Sequence, residues 1–214
     1  MKRLLLFIFP LLILFAIAPK VFAQIPAAEL NAADKADIRR IEVYLNKLST
    51  VRARFLQISS NGAQAEGDLY ISRPGRMRIQ YDPPSSVFIV ADGSWLIYVD
   101  KKLDQVSYVP LESTPAGILL DKKISLLGGG FTITHFENAA DVIRVTLYKT
   151  DDPGKGILTL VFSDRPLTLK KWTITDAQGI LTSVSLIDSR FGIRLNADLF
   201  KFNSPFTETG NGGD

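Results

Sequence analysis

From Arg52 onward most of this chain alternates apolar and polar residues with a period of two, in runs spaced roughly ten residues apart. That period puts successive side chains on opposite faces of a strand, and such spacing is expected of an antiparallel meander. The runs are Arg52–Ser59, Gln64–Ser72, Arg76–Tyr81, Val87–Ala91, Trp95–Asp100, Gln105–Val109, Phe131–Phe136, Val142–Tyr148, Gly156–Ser163, Leu169–Thr175 and Ile180–Ser189. Further β structure is expected at Ile193 and Leu199–Phe202. Turn residues separate the runs, among them Asn61-Gly62, Pro74-Gly75, Asp92-Gly93-Ser94 and Pro153-Gly154.

Two stretches break the pattern. Between Ala27 and Leu48 the period is helical: Ile38, Ile41, Leu45 and Leu48 share one face, with Lys35, Arg39, Glu42 and Asn46 elsewhere around the turn. Asn31 or Asp34 can cap its start. The second break is Leu111–Gly130. Thr114-Pro115 reads as a helix start, Ile118, Leu119 and Leu120 as a short apolar helix, and Ile124–Leu127 as a further helical turn ended by Gly128–Gly130. Pieces this short are unstable alone, so they must dock on the sheet, and weakly held elements are candidates for movement.

The hairpin Gly67–Tyr81, reading GDLYISRPGRMRIQY, contains one anomaly. Counting by twos from Leu69 and Ile71 places Arg73 on their apolar face. A guanidinium there needs carbonyl or carboxylate partners. The alternative is that strand parity ends at the turn and Arg73 points to water.

Residues 1–23 read as a secretory signal: Lys2 and Arg3, an apolar run from Leu4 to Ala18, then Val21-Phe22-Ala23 before the cut. Their loss removes Lys2, Arg3 and Lys20 and no acid, so the net charge of +3 falls to 0. A neutral chain gives no general argument for nucleic acid or an acidic membrane as partner. Residues 24–206 are expected to form one domain, and 207–214 a disordered tail. With no cysteine, disulfides, thiol catalysis and acylation after the leader are excluded.

Catalytic and cofactor signals are missing, and the expectation is a protein that is not an enzyme. His135 is the one histidine and sits on an alternating run. There is no Gly-x-Ser-x-Gly elbow and no cluster with metal-ligand spacing. Gly128–Gly130 lacks the lysine of a phosphate loop, and Asp100–Asp104 and Asp151-Asp152 are turns. Arg76 and Arg78 read as a solvated strand face. Apolar strands curving around one helix leave either a filled core or a cavity, and both remain open from periodicity alone.

Gly67–Pro74 resembles the G-D-L-W/Y-I/V-x-R-P segment of the periplasmic outer-membrane lipoprotein carrier family, LolA. The resemblance continues through Tyr81–Pro84, Val90–Tyr98, Leu103–Val106, Thr114-Pro115 with Leu119-Leu120, Trp172–Asp176 with Gly179, and Leu199-Phe200. It implies an α+β fold: an unclosed antiparallel β-barrel with helices lying over an apolar cavity as a lid. It also implies a monomeric periplasmic chaperone that needs no cofactor. Such a carrier takes lipoprotein acyl chains from an inner-membrane ABC transporter complex and delivers them to an outer-membrane, LolB-like receptor. That receptor is itself acylated, so the missing cysteine points to carrier rather than receptor. Carriage of another amphiphilic lipid and a periplasmic lipid-sensing domain are the alternatives.

The resemblance assigns Arg73 as a latch to lid-helix carbonyls. It assigns the cavity to Phe55, Leu69, Ile71, Met77, Ile79, Tyr81, Val87, Ile89, Trp95 and Ile97. The lid would comprise Pro115, Ile118, Leu119, Leu120, Leu126 and Leu127 with part of helix 27–48. Met77 stands where many members carry an aromatic.

Overall fold

The computed structural model describes residues 25–204, so the expected leader with its cleavage near Ala23 and the tail 207–214 lie outside the described residues. The first element is helix α1 (Ala32–Lys47). Both cap candidates act together: the Asn31 side chain accepts from the Asp34 amide and the Asp34 carboxylate accepts from the Asn31 amide, each at 2.9 Å. The stripe Ile38, Ile41 and Leu45 is buried.

Six strands follow: β1 (Thr50–Ser59), β2 (Gln64–Ser72), β3 (Arg76–Tyr81), β4 (Val87–Asp92), β5 (Trp95–Asp100) and β6 (Gln105–Pro110). A 3-10 turn at Leu111–Ser113 leads into the short helix α2 (Pro115–Leu120). The second strand group is β7 (Phe131–Ala139), β8 (Val142–Lys149), β9 (Ile157–Ser163), β10 (Thr168–Thr175) and β11 (Leu181–Phe191). All pair antiparallel in one 11-stranded sheet, ordered β6-β5-β4-β3-β2-β1-β11-β10-β9-β8-β7. The last strand therefore lies beside the first, and β6 and β7 are the two edges that never pair. This is an α+β, unclosed antiparallel barrel. The N-terminal segment covers part of the β7 edge, with the Ala28 amide donating to Ile133 O at 2.8 Å.

Three expected elements are absent among the described residues. Residues 124–127 form no helix, because their backbone groups bond to side chains of α1 instead. Leu199–Phe202 is not a strand: Ala197–Phe200 is a 3-10 turn capped by Asn196, which accepts from the Asp198 amide at 3.0 Å. Ile193 likewise lies outside any strand.

That C-terminal segment creates a second apolar layer. The main core joins the α1 stripe, the inward residues of the strands, and Ile118–Leu120, Ile124 and Leu126. On the opposite face of β4 and β5, Phe88, Val90, Ile97 and Val99 are buried with Val106 and Phe202 packed against them. Arg76 and Arg78 are therefore half-buried rather than a solvated face. Arg78 lies 4.9 Å from the Phe88 ring centre and donates to Leu199 O, while Arg76 stacks at 5.9 Å over Phe200. Burial pushes the pKa of Arg78 below its ordinary value.

Gly67 opens the signature hairpin for a packing reason. A β-carbon there would lie 2.0 Å from Gln80 O on the paired strand and 2.9 Å from the Phe55 ring. Neither can withdraw without breaking the β2–β3 ladder. Gly67→Ala is expected to destabilise the protein by about 3 kcal/mol, lowering Tm by roughly 10 °C, measured by thermal unfolding.

Candidate functional site

The inward side chains of β2 and β3 belong to a curved apolar wall. Leu69 is fully buried, and Phe55 packs edge-to-face on Tyr81 with ring centres 5.4 Å apart. Within this wall is a hollow of about 170 Å³ lined by Gln57, Ile71, Met77, Ile79, Tyr81, Ile89, Leu96, Leu119, Trp172, Ile174, Thr182 and Val184. The lining is mostly aliphatic and aromatic; its polar members are Thr182 and an edge where the Tyr81 hydroxyl donates to Gln57 Oε1 at 2.9 Å. Burial raises the Tyr81 pKa, and that hydrogen bond opposes the rise.

Of the ten cavity candidates, Ile71, Met77, Ile79, Tyr81 and Ile89 line the hollow. Phe55 and Leu69 sit in the same core. Val87 shares the parity of Ile89 and is half-buried. Trp95 and Ile97 are corrections. Ile97 pairs with Val90 in the outer layer, and Trp95, 44% exposed, borders an outer cleft with Ser94, Pro110 and Leu111. Leu96 is the inward residue of β5. Residues from β10 and β11 were missed because they lie more than 90 positions from the hairpin. The β11–β1 pairing brings them round to it.

Leu119 of α2 lines the hollow, and the residues expected to form a lid pack in the main core around it. Ile118, Leu119, Leu120, Ile124 and Leu126 are all buried in the main core, Leu127 is partly buried against it, and Pro115 opens α2 behind the Thr114 cap. Ordinary ligand pockets are about 300–1,000 Å³. The hollow is smaller than these, and Leu119 of α2 forms part of its wall.

Arg73 bonds α1 to the segment after α2. Its Nη1 donates to Leu45 O and, at 3.2 Å, to Leu48 O at the end of α1; its Nε donates to Asp121 O just past α2 at 3.0 Å, and Nη2 reaches the same oxygen. Carbonyls at a helix C-terminus carry the negative end of its dipole, and although Leu45 O also accepts from the Leu48 amide at 3.2 Å, a cationic fork suits them. Beside it, the Gly75 amide donates to Leu120 O at 2.8 Å. Partial burial pushes the Arg73 pKa below the ordinary arginine value, while the Asp121 charge works the other way. Strand parity therefore persists through Arg73, and its partners are carbonyls.

A second set of contacts was not legible in the sequence. Asn46 donates to Ile124 O at 2.7 Å and accepts from the Ile124 amide at 2.9 Å, as a neighbouring strand would. Glu42 Oε1 accepts from the Leu126 and Leu127 amides, at 2.5 and 2.9 Å. Two polar residues one turn apart on α1 thus order a segment lacking secondary structure. The double substitution Glu42→Ala with Asn46→Ala is expected to remove about 4 kcal/mol of local protection, at roughly 1 kcal/mol for each of the four bonds lost. Hydrogen exchange should accelerate across 124–127 while the β-sheet amides stay protected.

Among the described residues no group of three His, Asp or Glu side chains could hold a metal ion, and His135 is exposed.

The chain matches the family model described as "Outer membrane lipoprotein carrier protein LolA" over residues 46–203. Two similar proteins are each named "Outer-membrane lipoprotein carrier protein". One is from Pseudomonas aeruginosa, 30% identical over 84% of this chain and 89% of that protein. The other is from Azotobacter vinelandii, 30% identical over 92% of this chain and 95% of its own length. A solved LolA-superfamily protein from Nitrosomonas europaea superposes with a TM-score of 0.42 at 10% identity, covering 77% of this chain and 97% of that one. With 158 consecutive residues matched to the family model, this chain belongs to the LolA family of outer-membrane lipoprotein carriers.

Proposed function

We propose that this protein is a periplasmic chaperone that takes the acyl chains of lipoproteins released from the inner membrane by an ABC transporter complex and hands them to an outer-membrane, LolB-like receptor. The observation that supports the reading is an apolar hollow walled in part by Leu119 of α2, with the Arg73 side chain donating to the carbonyls of Leu45, Leu48 and Asp121 beside it. Burying an acyl chain gains about 0.8 kcal/mol per methylene. A guest that displaces Leu119, Leu120 and Leu126 therefore gains far more than the few hydrogen bonds that hold the lid. The closed empty form in turn favours the guest's departure. No catalytic step is needed for this work, and the cycle uses no cofactor.

The test is identification by mass spectrometry of what co-purifies with the mature protein from its own periplasm. Acylated lipoprotein is the expected companion. Free lipid without protein would point instead to carriage of another amphiphile. Depletion followed by membrane fractionation separates carrier from sensor: outer-membrane lipoproteins should accumulate in the inner membrane.

A further inference from the structure

The net charge of zero expected for the chain without residues 1–23 conceals a sorting of charge on α1. Lys35, Arg39, Val43 and Lys47 recur every fourth residue, one above another along an exposed ridge about 18 Å long. Like charges at this spacing repel, and neither Lys35, Arg39 nor Lys47 has a carboxylate within 4.0 Å among the described residues. The acids of the same helix are committed elsewhere. Asp34 closes the capping box, Asp37 binds Arg40 at 2.6 Å and Asn138 at 2.8 Å, and Glu42 holds the lid amides. Arg40 is the helix's one paired cation, bridging Asp37 and the buried Asp164, each at 2.6 Å. Val43, 54% exposed, lies mid-ridge beside a shallow groove floored by Tyr44 and Leu167.

The helix spans the mouth of the curved sheet. Its C-terminal carbonyls bond to Arg73 after β2, and Arg40 reaches Asp164 after β9. Its apolar stripe faces the core, so the cationic ridge faces away from the hollow. We propose that this ridge is a docking surface for the anionic headgroups of a membrane, presenting the lidded mouth to the bilayer. Three cations along one ridge, with one small apolar side chain among them, suit a planar field of mobile anions, which needs no matched geometry. Two of the three are lysines, point charges rather than the planar forks that suit fixed bidentate partners. Attraction from three cations is also weak enough to reverse, as a shuttling protein requires. The inference does not depend on what the hollow carries.

Flotation of the mature chain with vesicles of 30 mol% phosphatidylglycerol in phosphatidylcholine tests it. Binding should exceed that to pure phosphatidylcholine, and should weaken steeply between 50 and 300 mM salt. Each cation near an anionic surface contributes roughly a factor of five, so K35Q/R39Q/K47Q should lower vesicle affinity on the order of 100-fold. Its Tm should change little, because the Lys35–Arg39 repulsion relieved offsets the favourable placement of Lys47 in the last turn of α1. K101Q/K102Q/K155Q takes the same charge from two strand-connecting turns and should bind like the parent. Equal binding to neutral vesicles, parental binding by the ridge variant, or equal losses from both variants would overturn the proposal. Failure of vesicle binding alongside capture of an acidic protein surface would overturn it in favour of a protein partner.

Discussion

Replacing Arg73 by leucine is expected to tighten acyl-chain binding about 30-fold and to slow release by a similar factor, since roughly 2 kcal/mol of latch is lost and 1.4 kcal/mol is tenfold. Hydrogen bonds from a charged donor contribute roughly 1.5–3 kcal/mol each, and the partial exposure of this side chain reduces the total. Arg73 joins the carbonyls of Leu45, Leu48 and Asp121, which belong to two separate pieces of the chain. Those bonds exist in the closed form. Their loss raises the closed empty form in free energy and leaves the loaded form where it was, so the equilibrium moves toward loading. Titration with a fluorescent fatty-acid analogue measures the affinity, and transfer to acceptor vesicles measures release. An unchanged transfer rate would show that the latch does not bias the lid. Arg73→Lys should fall between the two, because an ammonium on a flexible stem cannot bridge three carbonyls as one planar fork does.

Val184→Trp is expected to move stability and binding in opposite directions. Val184 lies on β11, is 7% exposed, and lines the 170 Å³ hollow. An indole projecting into that space fills a void whose lining lacks contacts, which commonly stabilises by about 0.5–2 kcal/mol. The same ring occupies the room an acyl chain would enter, and loading should fall by an order of magnitude or more, because such a guest gains about 0.8 kcal/mol for each methylene buried. Thermal unfolding read alongside fatty-acid titration gives both numbers on one sample. If the indole overpacks the site, Ile174→Phe adds less bulk to the same hollow and should show the same opposition at smaller amplitude. A variant that is more stable yet binds as the parent does would place the acyl site elsewhere.

How much of this was legible in the chain differs by element. Strands β1 to β3 follow their alternation closely because one face is apolar and the other polar, so register and facing are specified together. Arg73 was visible as an anomaly for the same reason: a charged residue on an apolar parity is conspicuous where parity is clean. On β4 and β5 that logic fails. Val87-Phe88-Ile89-Val90-Ala91 is apolar at both parities, and a strand buried on both faces does not reveal which side faces the hollow. Trp95 and Ile97 were accordingly assigned inward, whereas the C-terminal segment brings Phe202 across the outer face and makes it a second core.

Local sequence determined the strands, the capped helix, its buried stripe and the guanidinium at the hairpin's end, because each depends on neighbours within a few residues. Tertiary structure alone decided the rest. It set Trp172, Ile174 and Val184 beside the hairpin through the β11–β1 pairing, and it held Ile124–Leu127 open by bonding their backbone to Glu42 and Asn46 rather than to itself. It also drew the acids of α1 into hydrogen bonds and left Lys35, Arg39 and Lys47 without a carboxylate within 4.0 Å among the described residues. Those outcomes join residues tens of positions apart, and period and propensity carry no information over such distances.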